Sequence, residues 1–209
     1  RELHSGYDLK TARRSMNLLT IEWANRGINM WTIDEGFINL VQGTSTYDLP
    51  AATIDLIEQV IRTGAGSTTL QSDLNLSRIS VSTYSSVPNK LTQGRPIQVW
   101  VDRLRDNPTV TVWPVPDRGT AIAPYYILRY WRLRRIENAG AGIETPDMNF
   151  RFFPALVSGL AYYIATKIPE LMPRIEMLKL QYEEQYALAA GEDREKASIS
   201  LVPRIYGVS

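Results

Sequence analysis

The feature that most restricts this chain is a double change in its hydrophobic period. Apolar residues recur at alternating spacings of three and four near both ends, and at spacing two across a long middle stretch punctuated by Gly, Pro, Ser and Thr. The first period belongs to an amphipathic helix and the second to a half-buried strand, so neither architecture alone can bury the apolar set. A helix at the start is expected to pack with helices at the end, because none of them can bury its apolar stripe by itself. The expected fold class is therefore α+β. A three-helix bundle, with one N-terminal and two C-terminal helices, carries an inserted β-rich domain and an extended C-terminal tail. The expected boundaries are 1–28 with 147–192 for the bundle, 29–146 for the insertion and 193–209 for the tail.

The elements follow from the same reading. Leu9, Ala12, Met16, Leu19 and Trp23 share one face of a helix from Tyr7 to Arg26, with Gly27 as its stop. Strands are expected at Glu35–Val41, Thr46–Leu49, Leu56–Arg62, Pro96–Arg103, Thr109–Trp113 and Tyr125–Ile136, with a short helix after Ser77. Thr109–Trp113 is the natural antiparallel partner of Pro96–Arg103 across the Asn107–Pro108 turn. Phe150–Lys167 is a helix with Phe153, Leu156, Val157, Leu160, Ala161 and Ile164 as its apolar set. Its small residues Ala155, Ser158 and Gly159 allow another helix to come close. Pro173–Gly191 is a second helix with a stripe of Ile175, Leu178, Tyr182, Tyr186 and Ala189. The sequence opens at Arg1 rather than Met, so further residues are expected upstream.

The residue inventory removes whole classes of chemistry. Cysteine is absent and His4 is the single histidine. Disulfides, thiolate catalysis and zinc–thiolate sites are excluded, and a triad or a multi-histidine centre would rest on one residue near a chain end. No glycine-rich phosphate loop, metalloprotease or serine-hydrolase motif occurs. The adjacent carboxylates Asp34–Glu35, Glu183–Glu184 and Glu192–Asp193 diverge in direction on a regular element, so adjacency alone makes no acid–base pair. Neither a cofactor nor a metal is expected, and no catalytic residue is assigned. With 23 Lys plus Arg against 22 Asp plus Glu, a chain-wide nucleic-acid or membrane-surface binder is not expected. No apolar run reaches the roughly 20 residues of a membrane helix, and no membrane partner is expected.

Two features stand out. Arg129, Arg132, Arg134 and Arg135 interleave with aromatics from Tyr125 onward. They could meet a nucleic-acid backbone or a neighbouring subunit. The simpler reading is a strand end that leaves the core and pairs with nearby carboxylates, since the arginines fall on both faces. The segment Ser198–Ser209 holds Ile199, Leu201, Val202, Ile205 and Tyr206 and is too short to form its own core. It either lies extended on a partner or packs back on its own domain.

Several motifs in order carry a family resemblance. They are Leu18-Leu-Thr-Ile-Glu-Trp-Ala-Asn-Arg-Gly with Met30-Trp-Thr, Val41-Gln-Gly-Thr-Ser-Thr-Tyr-Asp-Leu-Pro, Pro88-Asn-Lys, Gly94-Arg-Pro, Trp113-Pro-Val-Pro-Asp and Tyr130-Trp. Phe152-Phe-Pro-Ala-Leu-Val-Ser-Gly-Leu-Ala-Tyr-Tyr and Glu192-Asp-Arg-Glu-Lys-Ala-Ser complete the set. From about Met16 to Arg204 the chain resembles the head-to-tail adaptor proteins of tailed phages, of the packaged-DNA-stabilisation, tail-accessory-factor or tail-tubular-protein type. The resemblance implies a homo-oligomeric ring, usually of twelve copies, under the portal protein in the virion neck. It implies a C-terminal tail that reaches onto the portal and a β-rich part that faces the tail or nozzle protein. Genomic DNA would pass through the channel with weak, non-specific contact, and assembly would take place in the host cytoplasm. Some relatives have been credited with cell-wall hydrolysis. A peptidoglycan-degrading hydrolase and a DNA-binding module are therefore the alternatives to a structural adaptor.

Overall fold

The computed structural model describes residues 6–27, 32–104, 106–136 and 147–192. In chain order the elements are α1 (Gly6–Asn25), β1 (Ile33–Asn39), β2 (Thr46–Asp48), β3 (Thr53–Thr63), β4 (Ser72–Asn75), β5 (Ser77–Arg78), α2 (Val81–Ser85), β6 (Gln93–Gly94), β7 (Gln98–Asp102), β8 (Thr109–Trp113), β9 (Val115–Pro116), β10 (Ile127–Arg134), α3 (Phe153–Ala165) and α4 (Ile175–Glu192). The fold is α+β, with a helix first, strands in the middle and two helices last. The chain divides into two compact units, Arg1–Met30 with Asn138–Ser209 and Trp31–Glu137.

In the helical unit, α1 and α4 both pack on α3. Leu19 and Trp23 of α1 are fully buried, with Phe152, Ala155, Tyr182 and Tyr186 around them. The Trp23 ring lies 5.4 Å from that of Phe152 and 6.4 Å from that of Tyr186. Gly27 ends α1 at φ +85°, a conformation that costs glycine little. The stripe expected for α4 is its buried face, with Tyr182, Tyr186 and Ala189 sealed and Ile175 and Leu178 half-buried. A 3-10 turn at Pro169–Arg174 precedes it, so the α-helix proper begins two residues after Pro173.

The face expected for α3 is corrected. Val157 is 68% exposed and Phe153 41%, while Ala155, Ser158 and Gly159 are buried. The small residues decide the orientation because they let two helices approach at once. A Cβ built on Gly159 would stand 2.9 Å from both Leu19 methyls and 2.9 Å from Tyr182 Cε2. Close backbone approach brings more of the neighbouring surfaces into dispersion contact than a face of larger residues would allow. Leu9 is also exposed at 49%, so the apolar stripe of α1 seals only in its C-terminal half.

The β unit is a sandwich of two four-stranded sheets, ordered β1-β10-β3-β4 and β2-β8-β7-β5, plus a two-stranded β6-β9 ladder. All pairs in the first sheet are antiparallel, and β5 joins β7 in parallel. Alternation directs Val99 and Val101, Val110 and Val112, and Leu128 and Tyr130 into one core with Leu40, Leu56 and Ile61. The expected β7–β8 pairing across Asn107–Pro108 is present, with Val101 opposite Val110. Between β10 and β3 the register jumps from Trp131↔Glu58 to Arg132↔Leu56, which leaves Ile57 bulged and 48% exposed.

Candidate functional site: assembly surfaces

Helical spacing puts Leu18 and Ile21 of α1 on one outward stripe, and both are about half exposed. On α3 the outward stripe holds Val157 beside Pro154 and Ala161, all exposed. On α4, Met177 and Leu188 are eleven residues apart, which is close to three turns, and Leu180 sits beside them. These three are 58%, 64% and 72% exposed respectively. Each helix thus has a second apolar stripe in addition to the one it buries within the unit. These outward apolar side chains are the candidate contact surfaces of the unit.

A polar cluster holds the buried side of the same unit rigid. Trp23 Nε1 donates to Tyr182 Oη at 3.0 Å, and Tyr182 Oη donates to Glu22 Oε1 at 3.2 Å. Tyr163 Oη donates to Glu22 Oε2 at 2.6 Å. Arg26 grips both oxygens of Glu183 at 2.7 Å, reaches Glu22 at 2.5 Å, and lies 4.5 Å over the Tyr186 ring. Burial pushes the Tyr182 hydroxyl up, and burial together with Glu22 pushes Tyr163 up to about 12, so both stay donors at neutral pH. The hydrogen bonds from Arg26 lower the Glu183 carboxyl. Every strong donor here already meets an acceptor within the unit, so the cluster fixes helix positions rather than presenting a reactive group. Glu183 faces Arg26 whereas Glu184 is exposed, so this adjacent pair does not converge.

The arginines of β10 are engaged in the same way. Arg132 donates to Asp34 at 3.2 Å and to Thr53 at 3.0 Å. Arg134 reaches the same Asp34 oxygen at 3.1 Å, and Arg129 pairs with Glu35. Asp34 and Glu35 therefore leave β1 on opposite faces, each held by guanidinium rather than by the other. Arg135 is exposed, and its backbone N–H donates to Ala52 O at 2.8 Å. A shallow cavity beside Phe37, Gly66 and Ile127 is lined by Arg62 and Arg129. Asp73 holds Arg62 at 2.5 Å and Glu35 holds Arg129, so its two cations are already compensated. Among the described residues no group of three His, Cys, Asp or Glu could hold a metal ion, and no helix is long and apolar enough to cross a membrane.

The tail residues Ile199, Leu201, Val202, Ile205 and Tyr206 lie outside the described residues, as does His4. The outward stripes of α1, α3 and α4 were missed in the sequence reading. The signal was present in α4, where Met177, Leu180 and Leu188 interrupt the face filled by Lys179, Gln181 and Glu184. No curated protein matches the chain. Residues 4–204 match the model of the family described as SU10 adaptor protein.

Proposed function

The chain belongs to the SU10 adaptor protein family, and on that premise we propose that it is a virion structural protein forming the head-to-tail adaptor ring of a phage. Copies of the chain stand side by side beneath the portal protein, twelve of them if the ring follows portal symmetry. The ring lengthens the DNA channel, helps to retain the packaged genome until ejection, and offers a platform to the tail or nozzle protein. The observation that carries this reading is the second apolar stripe on each of α1, α3 and α4, with Leu18, Ile21, Val157, Met177, Leu180 and Leu188 turned outward. A lone unit gains nothing from these side chains, whereas a ring covers them on both flanks of every copy.

The segment Ser198–Ser209 supplies the portal contact in this reading, through Ile199, Leu201, Val202, Ile205 and Tyr206. Each tail binds modestly, and the ring links many of them, so dissociation requires all to let go together. DNA meets Arg129, Arg132, Arg134 and Arg135 weakly at most, because three of them are held in ion pairs, Arg129 by Glu35 and both Arg132 and Arg134 by Asp34. Assembly takes place in the host cytoplasm, and the mature location is the virion neck. The carboxylates paired with Arg26, Arg129 and Arg132 give a hydrolase reading no support. The test is co-sedimentation of the full chain with the portal protein encoded by the same genome. Stoichiometric binding that is lost on deletion of Ser198–Ser209 supports the proposal, and unchanged binding of the truncated chain refutes the role given to the tail.

A further inference from the structure

The first sheet of the β unit ends in two edges whose outer sides are unpaired among the described residues, β1 and β4. Register places Ile38 opposite Leu128, Leu128 opposite Ile61, and Ile61 opposite Leu74. One apolar row therefore crosses the whole sheet and stops at both edges, where Leu74 is left 38% exposed. The edges also match in polarity. Strand direction alternates across β1, β10, β3 and β4, so β4 of one copy would run antiparallel to β1 of the next.

The hydrogen-bonding phase matches too. Leu40 N donates to Tyr126 O, which fixes the even positions of β1 as those bonded to β10. Glu35, Phe37 and Asn39 then turn their backbone groups to the free edge. Leu76 N donates to Gln59 O, so Asp73 and Asn75 turn theirs outward from β4. Setting Leu74 against Ile38 of a second copy places Asn75 opposite Phe37 and Asp73 opposite Asn39. Both outward residues of β4 then face outward residues of β1, with Glu35 lying beyond the end of β4, and the apolar row continues across the seam.

The second sheet differs in polarity: β5 runs parallel to β7 and therefore in the direction of β2, so the antiparallel match belongs to the first sheet alone. Residues 40–45 join β1 to β2, and Leu76 alone joins β4 to β5, so one side of the sandwich carries β1 and β2 and the other carries β4 and β5. Neither β1 nor β4 contains the proline or lysine that commonly guards a free edge.

We infer that neighbouring copies join by strand addition, β4 of one on β1 of the next, making the first sheet continuous from copy to copy. The contact uses two different surfaces, so it propagates head to tail, as the proposed ring requires. This rests on the ring assembly proposed above. The chain has no cysteine, so a cross-link reports the seam alone. Full-length chain carrying both Phe37→Cys and Asn75→Cys, assembled on the portal protein and oxidised, should give a ladder of covalent oligomers on a non-reducing gel. Ile33→Cys with Asn75→Cys, displaced by about 13 Å along the strand, should give none. Phe37→Pro removes an outward N–H while sparing the bonds to β10, and should abolish assembly where Phe37→Leu does not. A portal-bound ring without the ladder, or equal assembly by Phe37→Pro and Phe37→Leu, overturns the seam and leaves the adaptor reading standing. Absence of any portal-bound assembly overturns both.

Discussion

Tyr182→Phe removes one oxygen atom from the centre of the helical unit, and its cost can be worked from the surroundings. The Tyr182 hydroxyl is the acceptor for Trp23 Nε1 at 3.0 Å and the donor to Glu22 at 3.2 Å. Trp23 is fully buried, so its N–H loses its partner without gaining exposure to solvent. A stranded buried donor costs about 1–3 kcal/mol, and a hydrogen bond to a charged group contributes a similar amount. Glu22 keeps Tyr163 and Arg26, which softens the second loss. A net destabilisation of about 2–3 kcal/mol follows, or roughly 10 °C or more in Tm for a unit of this size. Urea denaturation followed by far-ultraviolet circular dichroism measures it. Trp23→Phe and the double variant complete a cycle in which the two changes should couple by about 1 kcal/mol or more, because the second removes a donor already stranded. A Tyr182→Phe chain within about 0.5 kcal/mol of the parent, or strict additivity in the cycle, would refute this account of the cluster.

Further outcomes follow from the same structure. Gly159→Val should destabilise the unit more than Gly159→Ala, and both should do so despite better helix propensity, because the added atoms meet Leu19 and Tyr182 at 2.9 Å; thermal melts give the order. Tyr163 titrates higher in the folded state than in the unfolded chain, so stability is complete below pH 10 and falls as pH rises towards about 12; Tyr163→Phe should flatten that alkaline slope. Glu183 titrates lower when folded, so its contribution is complete above its unfolded value of 4.5 and is lost as pH falls further, a slope that Glu183→Gln should reduce. Duplex DNA affinity should be feeble and should have a shallow salt slope, measured by fluorescence anisotropy across a salt series.

What was legible in the sequence and what was not divide along physical lines. The strand Thr109–Trp113 and its pairing were readable because alternation and a flanking proline turn are local signals. The helix carrying Tyr182 and Tyr186 was readable because its large residues fall at one spacing. The buried face of α3 was not, because hydrophobicity pointed to Val157 and Phe153 while close packing chose Gly159 and Ser158. Such a choice depends on Leu19 and Tyr182, which lie far away in sequence. The short strands β4 and β5 were not among the expected strands, since each is held by a partner rather than by its own pattern. The role of Asp34 and Glu35 was equally hidden, because pairing with Arg132 and Arg129 spans about a hundred positions of chain.

Electron cryomicroscopy of the full-length chain mixed with the portal protein tests the central claim most directly. The account predicts a closed ring of copies seated on the portal, with the outward stripes of α1, α3 and α4 covered by protein. Portal particles bearing no added density, beside single copies whose Met177, Leu180 and Leu188 remain open to solvent, would contradict it.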